Sequence, residues 1–367
     1  MKVIISGGGT GGHIFPALSI ANALKSLDPN VEILFVGAEG KMEMTRVPQA
    51  GYKIVGLPIR GLQRKFTFEN IKVLINLFKS LCKAKKIIKT FKPDVVVGVG
   101  GYASAPIGRA ASKRGIPLVI QEQNSYAGVT NRLLGKNASC ICVAYEGMDR
   151  FFPVSKITLT GNPIRKDLLA ANKEEAIKYY SLDANKKTIM VTGGSLGALA
   201  MNTAVKNNLE YFASLQDVQV LWQCGSYYYD KLNAELKDIL PANIHLRAFL
   251  ERMDLAYVVS DIVFARAGAG TISELCALGK STVLVPSPNV SEDHQTQNAM
   301  ALVKKNAALM LKDSEITTKI VDVVDDLLTN TEKQEALKKN ILAMALHESD
   351  IVIAKKIIDI AGQTHKK

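Results

Sequence analysis

The chain has 367 residues, 47% hydrophobic and 22% charged, with a formal net charge of +12; this is long for one domain and enough for two, each with its own core. No apolar run approaches the roughly 20 residues needed to span a bilayer, and the start Met1-Lys2-Val3-Ile4-Ile5-Ser6 runs straight into a strand, unlike a signal peptide. Five cysteines (Cys82, Cys140, Cys142, Cys224, Cys276) without a CxxC pair point to core thiols in a reducing compartment and argue against a zinc site.

Short apolar runs mark strands near 3–6, 31–37, 53–58, 94–99, 117–121, 140–144 and 157–160, then near 188–192, 218–223, 244–248, 261–265, 282–286 and 308–311. Most are continuous rather than alternating, as parallel strands covered on both faces should be. Helical stretches alternate with them, so the pattern is α/β, doubly wound, twice over. A turn at Thr160-Gly161-Asn162-Pro163 divides the chain into a first domain, 1–163, and a second, 164–346. Helical stretches near 314–328, 332–346 and 350–361 form the tail, and the last, within about 347–367, is expected to pack back on the first domain.

The first glycine turn, Ser6-Gly7-Gly8-Gly9-Thr10-Gly11-Gly12-His13, follows a strand and leads into a helix expected over 13–27. Such a unit presents backbone N–H groups at a positive helix end, which suits a phosphate or diphosphate. Gly7, Gly9 and Gly12 also satisfy G-x-G-x-x-G, a dinucleotide fingerprint that wants an acid after the second strand; Glu39 is the nearby acid. His13 at a helix start is disfavoured as an imidazolium, so it is either a neutral general base or a cap and phosphate ligand.

From Arg60 to Lys92 ten basic residues (Arg60, Arg64, Lys65, Lys72, Lys79, Lys83, Lys85, Lys86, Lys89 and Lys92) stand against one acid, Glu69, among apolar positions too many for a single core stripe, Phe66, Phe68 and Phe78 included. Such a segment is either an interfacial membrane helix or a solvated helix with one buried face. No nucleic-acid-binding motif accompanies the charge.

Val99-Gly100-Gly101-Tyr102-Ala103-Ser104 repeats the strand–glycine–helix design, and Gln121-Glu122-Gln123-Asn124 should emerge at the same sheet edge, where open α/β folds bind ligands. The second domain has its own glycine turn, Gly193-Gly194-Ser195-Leu196-Gly197-Ala198. In Ala265–Glu274, Thr271 and Glu274 read either as a capping box or as a diphosphate-binding helix start whose Glu274 holds a ribose diol. His294-Gln295-Thr296-Gln297-Asn298 puts amides, paired donors and acceptors for sugar hydroxyls, at another helix start.

Together these segments resemble the MurG family of glycosyltransferases (glycosyltransferase family 28), peripheral membrane enzymes that form lipid II in bacterial peptidoglycan synthesis. The matching stretches are GGGTGGHIFPAL at 7–18, GVGGYASAP at 98–106, QEQNSYAGVTNRLL at 121–134, TGNPIR at 160–165, VTGGSLGALAMN at 191–202, RAGAGTISE at 266–274 and EDHQTQNA at 292–299, in family order over nearly the whole chain.

The resemblance implies a GT-B fold, two Rossmann-like domains facing across a cleft. It implies an inverting transfer of GlcNAc from UDP-GlcNAc to the 4-hydroxyl of MurNAc in undecaprenyl-diphospho-MurNAc-pentapeptide (lipid I). The first domain then binds acceptor and membrane, with Gly100, Gly101 and Tyr102 on the acceptor diphosphate and His13 as candidate base. Family contacts to the donor UDP-GlcNAc fall on Thr10, Gly11, Gly12 and Asn124 in that domain. In the second, UDP-GlcNAc-binding domain they fall on Arg165, Ser195, Leu250, the run Ala269, Gly270, Thr271, Ile272, Ser273 and Glu274, and Gln295. Ser195 is assigned to the donor phosphate, the Leu250 backbone to uracil, Glu274 to the ribose and Gln295 to the GlcNAc. No cofactor is implied, and without an Asp-x-Asp motif a tightly bound metal is not expected.

Implied partners are UDP-GlcNAc, lipid I and an anionic membrane surface at the cytoplasmic face of the inner membrane, with cell-wall or division proteins as further candidates and no nucleic acid. Departures fall on Lys280 and Ser281, on Asn289 to Glu292, and on Thr296, which replaces an amide. The alternatives are a same-fold UDP-GlcNAc epimerase, a transferase to another lipid, an NAD-dependent oxidoreductase, and a non-catalytic UDP-sugar sensor.

Overall fold

The computed structural model describes residues 1–59 and 69–364. The expected basic and aromatic residues Arg60, Arg64, Lys65, Phe66 and Phe68, and the end of the tail at 365–367, lie outside the described residues. The chain forms two compact units, one of Met1–Ile164 with the segment from Leu346, the other of Arg165–Ala345.

The first unit carries seven strands: β1 (Lys2–Ser6), β2 (Glu32–Ala38), β3 (Lys53–Leu57), β4 (Val95–Gly98), β5 (Leu118–Glu122), β6 (Cys140–Val143) and β7 (Ile157–Leu159). They lie in the order β3-β2-β1-β4-β5-β6-β7, and every neighbouring pair is parallel. Alternate residues feed two apolar layers, because side chains change face at every residue of a strand. Ile4, Val36, Val96 and Ile120 meet the helices of one layer through Ala84, Ile88 and Ile107. Val3, Ile5, Val95 and Val97 meet Ala17, Ile20 and Leu24 of the helix Gly11–Leu27 on the other.

That second layer is completed by the C-terminal helix Ser349–Thr364, which lies against the helix Gly11–Leu27, as its expected return to the first domain required. Ile353, Ala354, Ile357 and Ala361, spaced to share one helical face, are all buried in the same core.

The second unit carries β8 (Lys187–Thr192), β9 (Val218–Gln223), β10 (Ile244–Arg247), β11 (Ile262–Ala265), β12 (Ser281–Leu284) and β13 (Leu309–Met310), ordered β10-β9-β8-β11-β12-β13 and again all parallel. Its core joins Val191, Trp222 and Phe264 to Ile316, Ile320, Val324 and Leu327, the inward face of the helix Ile316–Thr329.

In each sheet the chain runs outward from one central strand and then resumes on its other side: between β1 and β4 in the first unit, between β8 and β11 in the second. The helices that leave neighbouring strands at this point go to opposite faces, opening a crevice at the carboxyl ends of the strands. The glycine turns stand there.

Ile357→Ala removes a fully buried side chain from the seam between two helices of the first unit. It is expected to destabilise that unit by about 2–4 kcal/mol. Denaturant titration followed by circular dichroism should show an earlier transition. Fluorescence of Trp222, the chain's one tryptophan and buried in the second unit, should shift less.

Candidate functional site

In the first unit, β1 ends at Ser6 and the helix begins at Gly11, two residues earlier than expected, so His13 is its third residue. Thr10 occupies the N-cap position in extended conformation but gives no side-chain cap bond. The turn is held from beneath by Glu43, which the sequence did not single out. Its buried carboxylate accepts from the N–H of Gly9 and of Ala38, both at 2.9 Å.

The turn after β4 packs directly on this one. Gly101 has φ +82°, and a β-carbon there would stand 2.5 Å from the Gly8 carbonyl oxygen, so no other residue fits without moving the backbone. Ser104 Oγ lies 2.8 Å from the carbonyl oxygens of both Ser6 and Gly100, sharing one proton between the two loops. Tyr102 projects outward, 57% exposed.

His13 is half-buried, with Nδ1 3.0 Å from the Gly8 carbonyl oxygen and 3.4 Å from Thr10 Oγ1. A carbonyl only accepts, so this contact puts the proton on Nδ1 and, in the neutral ring, the lone pair on Nε2. Nε2 points over Gly100, 2.8 Å from where a β-carbon would stand. The fold therefore brings Thr10, Gly11, Gly12, His13, Gly100, Gly101 and Tyr102 to one edge.

The loop after β5 corrects an expectation. Gln121, Glu122 and Gln123 are buried and point inward. Gln121 Nε2 donates to Asn162 Oδ1 at 2.9 Å, Gln123 Nε2 to the Val99 carbonyl at 2.9 Å, and Asn162 Nδ2 to the Gln123 carbonyl at 3.0 Å. Glu122 accepts from Asn131 Nδ2 at 2.9 Å and from the N–H of Gly128 at 3.0 Å and of Asn124 at 3.1 Å. Burial pushes its pKa up against these bonds. These side chains build the loop, and Asn124, half-buried, is the one of the four left at the surface. Glu39, the acid an NAD fold would require, is instead paired with Lys83 at 2.9 Å.

In the second unit the turn after β8 nests against the turn after β9. A β-carbon at Gly197 (φ +79°) would stand 1.9 Å from the Cys224 carbonyl oxygen, and Gln223 Nε2 donates to the Gly194 carbonyl at 2.8 Å. This leaves Ser195 and Leu196 exposed. After β10, Leu250 is 1% exposed. Its loop is tied down by Arg252, whose guanidinium holds Asp254 at 2.7 Å and Glu175 at 3.0 Å while its carbonyl accepts from Tyr180 Oη at 2.8 Å. The hydrogen bond from Arg252 lowers the Asp254 pKa.

The capping box also requires correction. The helix runs Ala269–Leu278 and starts from Gly268 in extended conformation, so Thr271 already lies within it and cannot cap it. Glu274 does not reach back to the helix start. Its Oε2 accepts from Tyr257 Oη at 3.1 Å, and its Oε1 lies 3.5 Å from Arg165 Nε. The fold thus gathers Arg165, Tyr257 and Glu274 beside the start of this helix. At the helix's far end Lys280 donates to the Ser260 carbonyl at 2.9 Å, and burial lowers its pKa to about 8.

The helix His294–Val303 brings Gln295 to its start, half-buried, with Oε1 accepting from the Ser287 N–H at 2.8 Å; what it can offer a sugar is its amide N–H. Contrary to expectation, Asn298 is buried and donates to the Ala267 carbonyl at 3.3 Å, while Thr296 donates to Asp293 at 2.7 Å. Among the described residues no group of three or more His, Cys, Asp or Glu side chains could hold a metal ion.

Comparison with known proteins matches both halves of the chain. Residues 3–143 match the glycosyltransferase family 28 N-terminal domain and residues 188–353 the family 28 C-terminal domain. A Parabacteroides distasonis protein named UDP-N-acetylglucosamine–N-acetylmuramyl-(pentapeptide) pyrophosphoryl-undecaprenol N-acetylglucosamine transferase is 54% identical over 364 residues, 98% of each chain. A Bacteroides fragilis protein of the same name is 52% identical over 368 residues, 99% of this chain and 97% of its own. The crystal structure of an Acinetobacter baumannii MurG superposes with a TM-score of 0.79 at 29% identity, covering 98% of this chain and 99% of that one. With two parallel-sheet units in the GT-B pattern, the chain belongs to the MurG group of glycosyltransferase family 28.

Proposed function

We propose that the chain transfers GlcNAc from UDP-GlcNAc to the 4-hydroxyl of MurNAc in lipid I, forming lipid II. The observation that carries this is a glycine-turned helix start at the switch point of each unit, with no side-chain cap bond at its N-cap: Thr10 in the first, Gly268 in the second. Both substrates carry a diphosphate, and uncapped helix N-termini recognise that group.

The donor is assigned to the second unit: its diphosphate to the amides from Ala269 onward and to Ser195, its ribose to Glu274, its uracil to the backbone at Leu250, its sugar to Gln295. The acceptor diphosphate is assigned to Gly100, Gly101 and Tyr102 beside the Thr10–His13 turn. In the transfer, the MurNAc 4-oxygen attacks C1 of GlcNAc and its proton passes to Nε2 of His13. The bond from C1 to the β-phosphate oxygen breaks with its electron pair, inverting C1 and releasing UDP. Negative charge grows on the leaving diphosphate, where fixed helix-end N–H groups stabilise it most.

The same reading gives the helix Glu69–Phe91 a purpose. Ser80, Ala84 and Ile88 form its buried face, while Leu74, Ile75, Leu77 and Phe78 are 36–68% exposed. Exposed apolar residues alongside Lys79, Lys85 and Lys86 suit docking on an anionic membrane, where the acceptor's lipid is anchored. No helix among the described residues is long and apolar enough to cross one. Docking at the cytoplasmic face of the inner membrane would serve cell-wall synthesis during growth and division.

Labelled UDP-GlcNAc and a short-chain lipid I analogue should yield the β-1,4-linked disaccharide lipid and UDP only when both are present; UDP release without disaccharide would instead mark an epimerase or hydrolase. His13→Ala is expected to lower turnover by about 100-fold or more with donor affinity nearly unchanged, and near-normal turnover would return His13 to a structural role. Charge reversal at Lys79, Lys85 and Lys86, leaving Lys83 on Glu39, should weaken binding to anionic vesicles at least tenfold, at about 1 kcal/mol per basic residue. Undiminished binding would move the docking face elsewhere.

A further inference from the structure

Tyr257 lies in the short helix Met253–Val259 and is 1% exposed, yet its hydroxyl is not surrounded by apolar atoms alone. It stands 3.1 Å from Oε2 of Glu274, seventeen residues along the chain. A carboxylate has no proton to give, so the phenol is the donor. Burial, and after it the Glu274 charge, raises the Tyr257 pKa well above its ordinary value, so that proton stays in place. On the other side, Oε1 of Glu274 lies 3.5 Å from Nε of Arg165, whose side chain is 43% exposed. The carboxylate is thus gripped at one oxygen by a buried, neutral donor and turned with the other toward the accessible side.

A glutamate has three side-chain torsions to fix when it receives a ligand. Held from behind by the Tyr257 hydroxyl, Glu274 has already fixed them. We propose that Tyr257 is a positioning residue for donor recognition: its hydroxyl aims the Glu274 carboxylate at the ribose diol, giving selectivity for a ribonucleotide. This rests on the assignment of Glu274 to the ribose. Tyr257 touches no reacting atom, so its effect belongs in donor KM and in ribose selectivity, with kcat little changed.

The test is the affinity ratio between UDP and 2′,3′-dideoxy-UDP, measured by calorimetry on the full chain and on Tyr257→Phe, Glu274→Gln and the double variant. Phenylalanine keeps the ring packing and removes only the hydroxyl. In Tyr257→Phe the ratio should fall about three- to tenfold, as for one lost charge-assisted hydrogen bond acting through an intermediary. Dideoxy-UDP affinity should hold, and the double variant should bind UDP no worse than Glu274→Gln. A ratio lowered by Glu274→Gln but untouched by Tyr257→Phe overturns the positioning role alone, as does equal weakening of both ligands. A ratio unchanged in Glu274→Gln overturns the ribose assignment, and the positioning role with it.

Discussion

The 2.5 Å that would separate a β-carbon at Gly101 from the Gly8 carbonyl oxygen sets the geometry of the first unit's edge. Parallel strands β1 and β4 are hydrogen-bonded neighbours, so the turns that leave them must pass each other within a strand spacing. Side chains at the crossing would push the turns apart. Their absence lets Ser104 bridge both loops and leaves the His13 ring lying over Gly100. The second unit meets the same constraint between β8 and β9, where Gly197 lies against the Cys224 carbonyl. In both units, close backbone approach makes the edge a surface of peptide groups rather than of side chains, and peptide N–H groups are what a diphosphate can use.

The two edges are braced by different chemistry. In the first unit carboxylates lie beneath the loops: Glu43 takes the N–H groups of Gly9 and Ala38, and Glu122 those of Asn124 and Gly128. The Gly9 N–H is spent inward and those of His13 and Ile14 on the Thr10 carbonyl, so an anion at this turn would be met by the amides of Gly11 and Gly12 and by the Gly100–Gly101 turn. In the second unit a neutral amide, Gln223, performs the bracing, and the one carboxylate at the helix start, Glu274, is held at the side by Tyr257 and Arg165. A carboxylate desolvated beneath a loop is costly unless donors stabilise its charge, and each of these acids has at least two.

The strands were legible because a strand covered on both faces needs an apolar run, continuous in most of them, and all thirteen predicted runs became parallel strands. The two doubly wound series followed from the same patterns, while the return of the C-terminal helix was expected from the two-domain arrangement rather than from its own residues. Side-chain direction at the edge was not legible. Gln121 and Gln123 stand where a ligand-facing residue would, and their partners far along the chain, Asn162 for Gln121 and the Val99 carbonyl for Gln123, show that they turn inward. The Thr271–Glu274 spacing fits a capping box, but the extended backbone at Gly268 starts the helix earlier, which frees Glu274 for Tyr257. Glu43 and Tyr257 went unnoticed because the Gly9 turn that Glu43 holds and the Glu274 carboxylate that Tyr257 meets lie 34 and 17 positions away.

The helix Glu69–Phe91 shows how a composition becomes specific only when its faces are known. Its charge alone fits any anionic partner, and its apolar content alone fits a core helix. The structure separates the two: Ser80, Ala84 and Ile88 make a buried face, small at its first two positions, that needs none of Leu74, Ile75, Leu77 or Phe78. Four large apolar side chains left outside, close along one helix, lose hydrophobic free energy that burial in the core would have returned. Lys83 is neutralised by Glu39, and exposed charge lies with Lys79, Lys85, Lys86 and Lys89. An apolar half-helix continued by ammonium groups matches the two-layer chemistry of an anionic lipid surface better than that of nucleic acid, which offers charge without an apolar phase. The proposed acceptor ends in a lipid, and a helix of this kind suits the docking that the proposed transfer calls for.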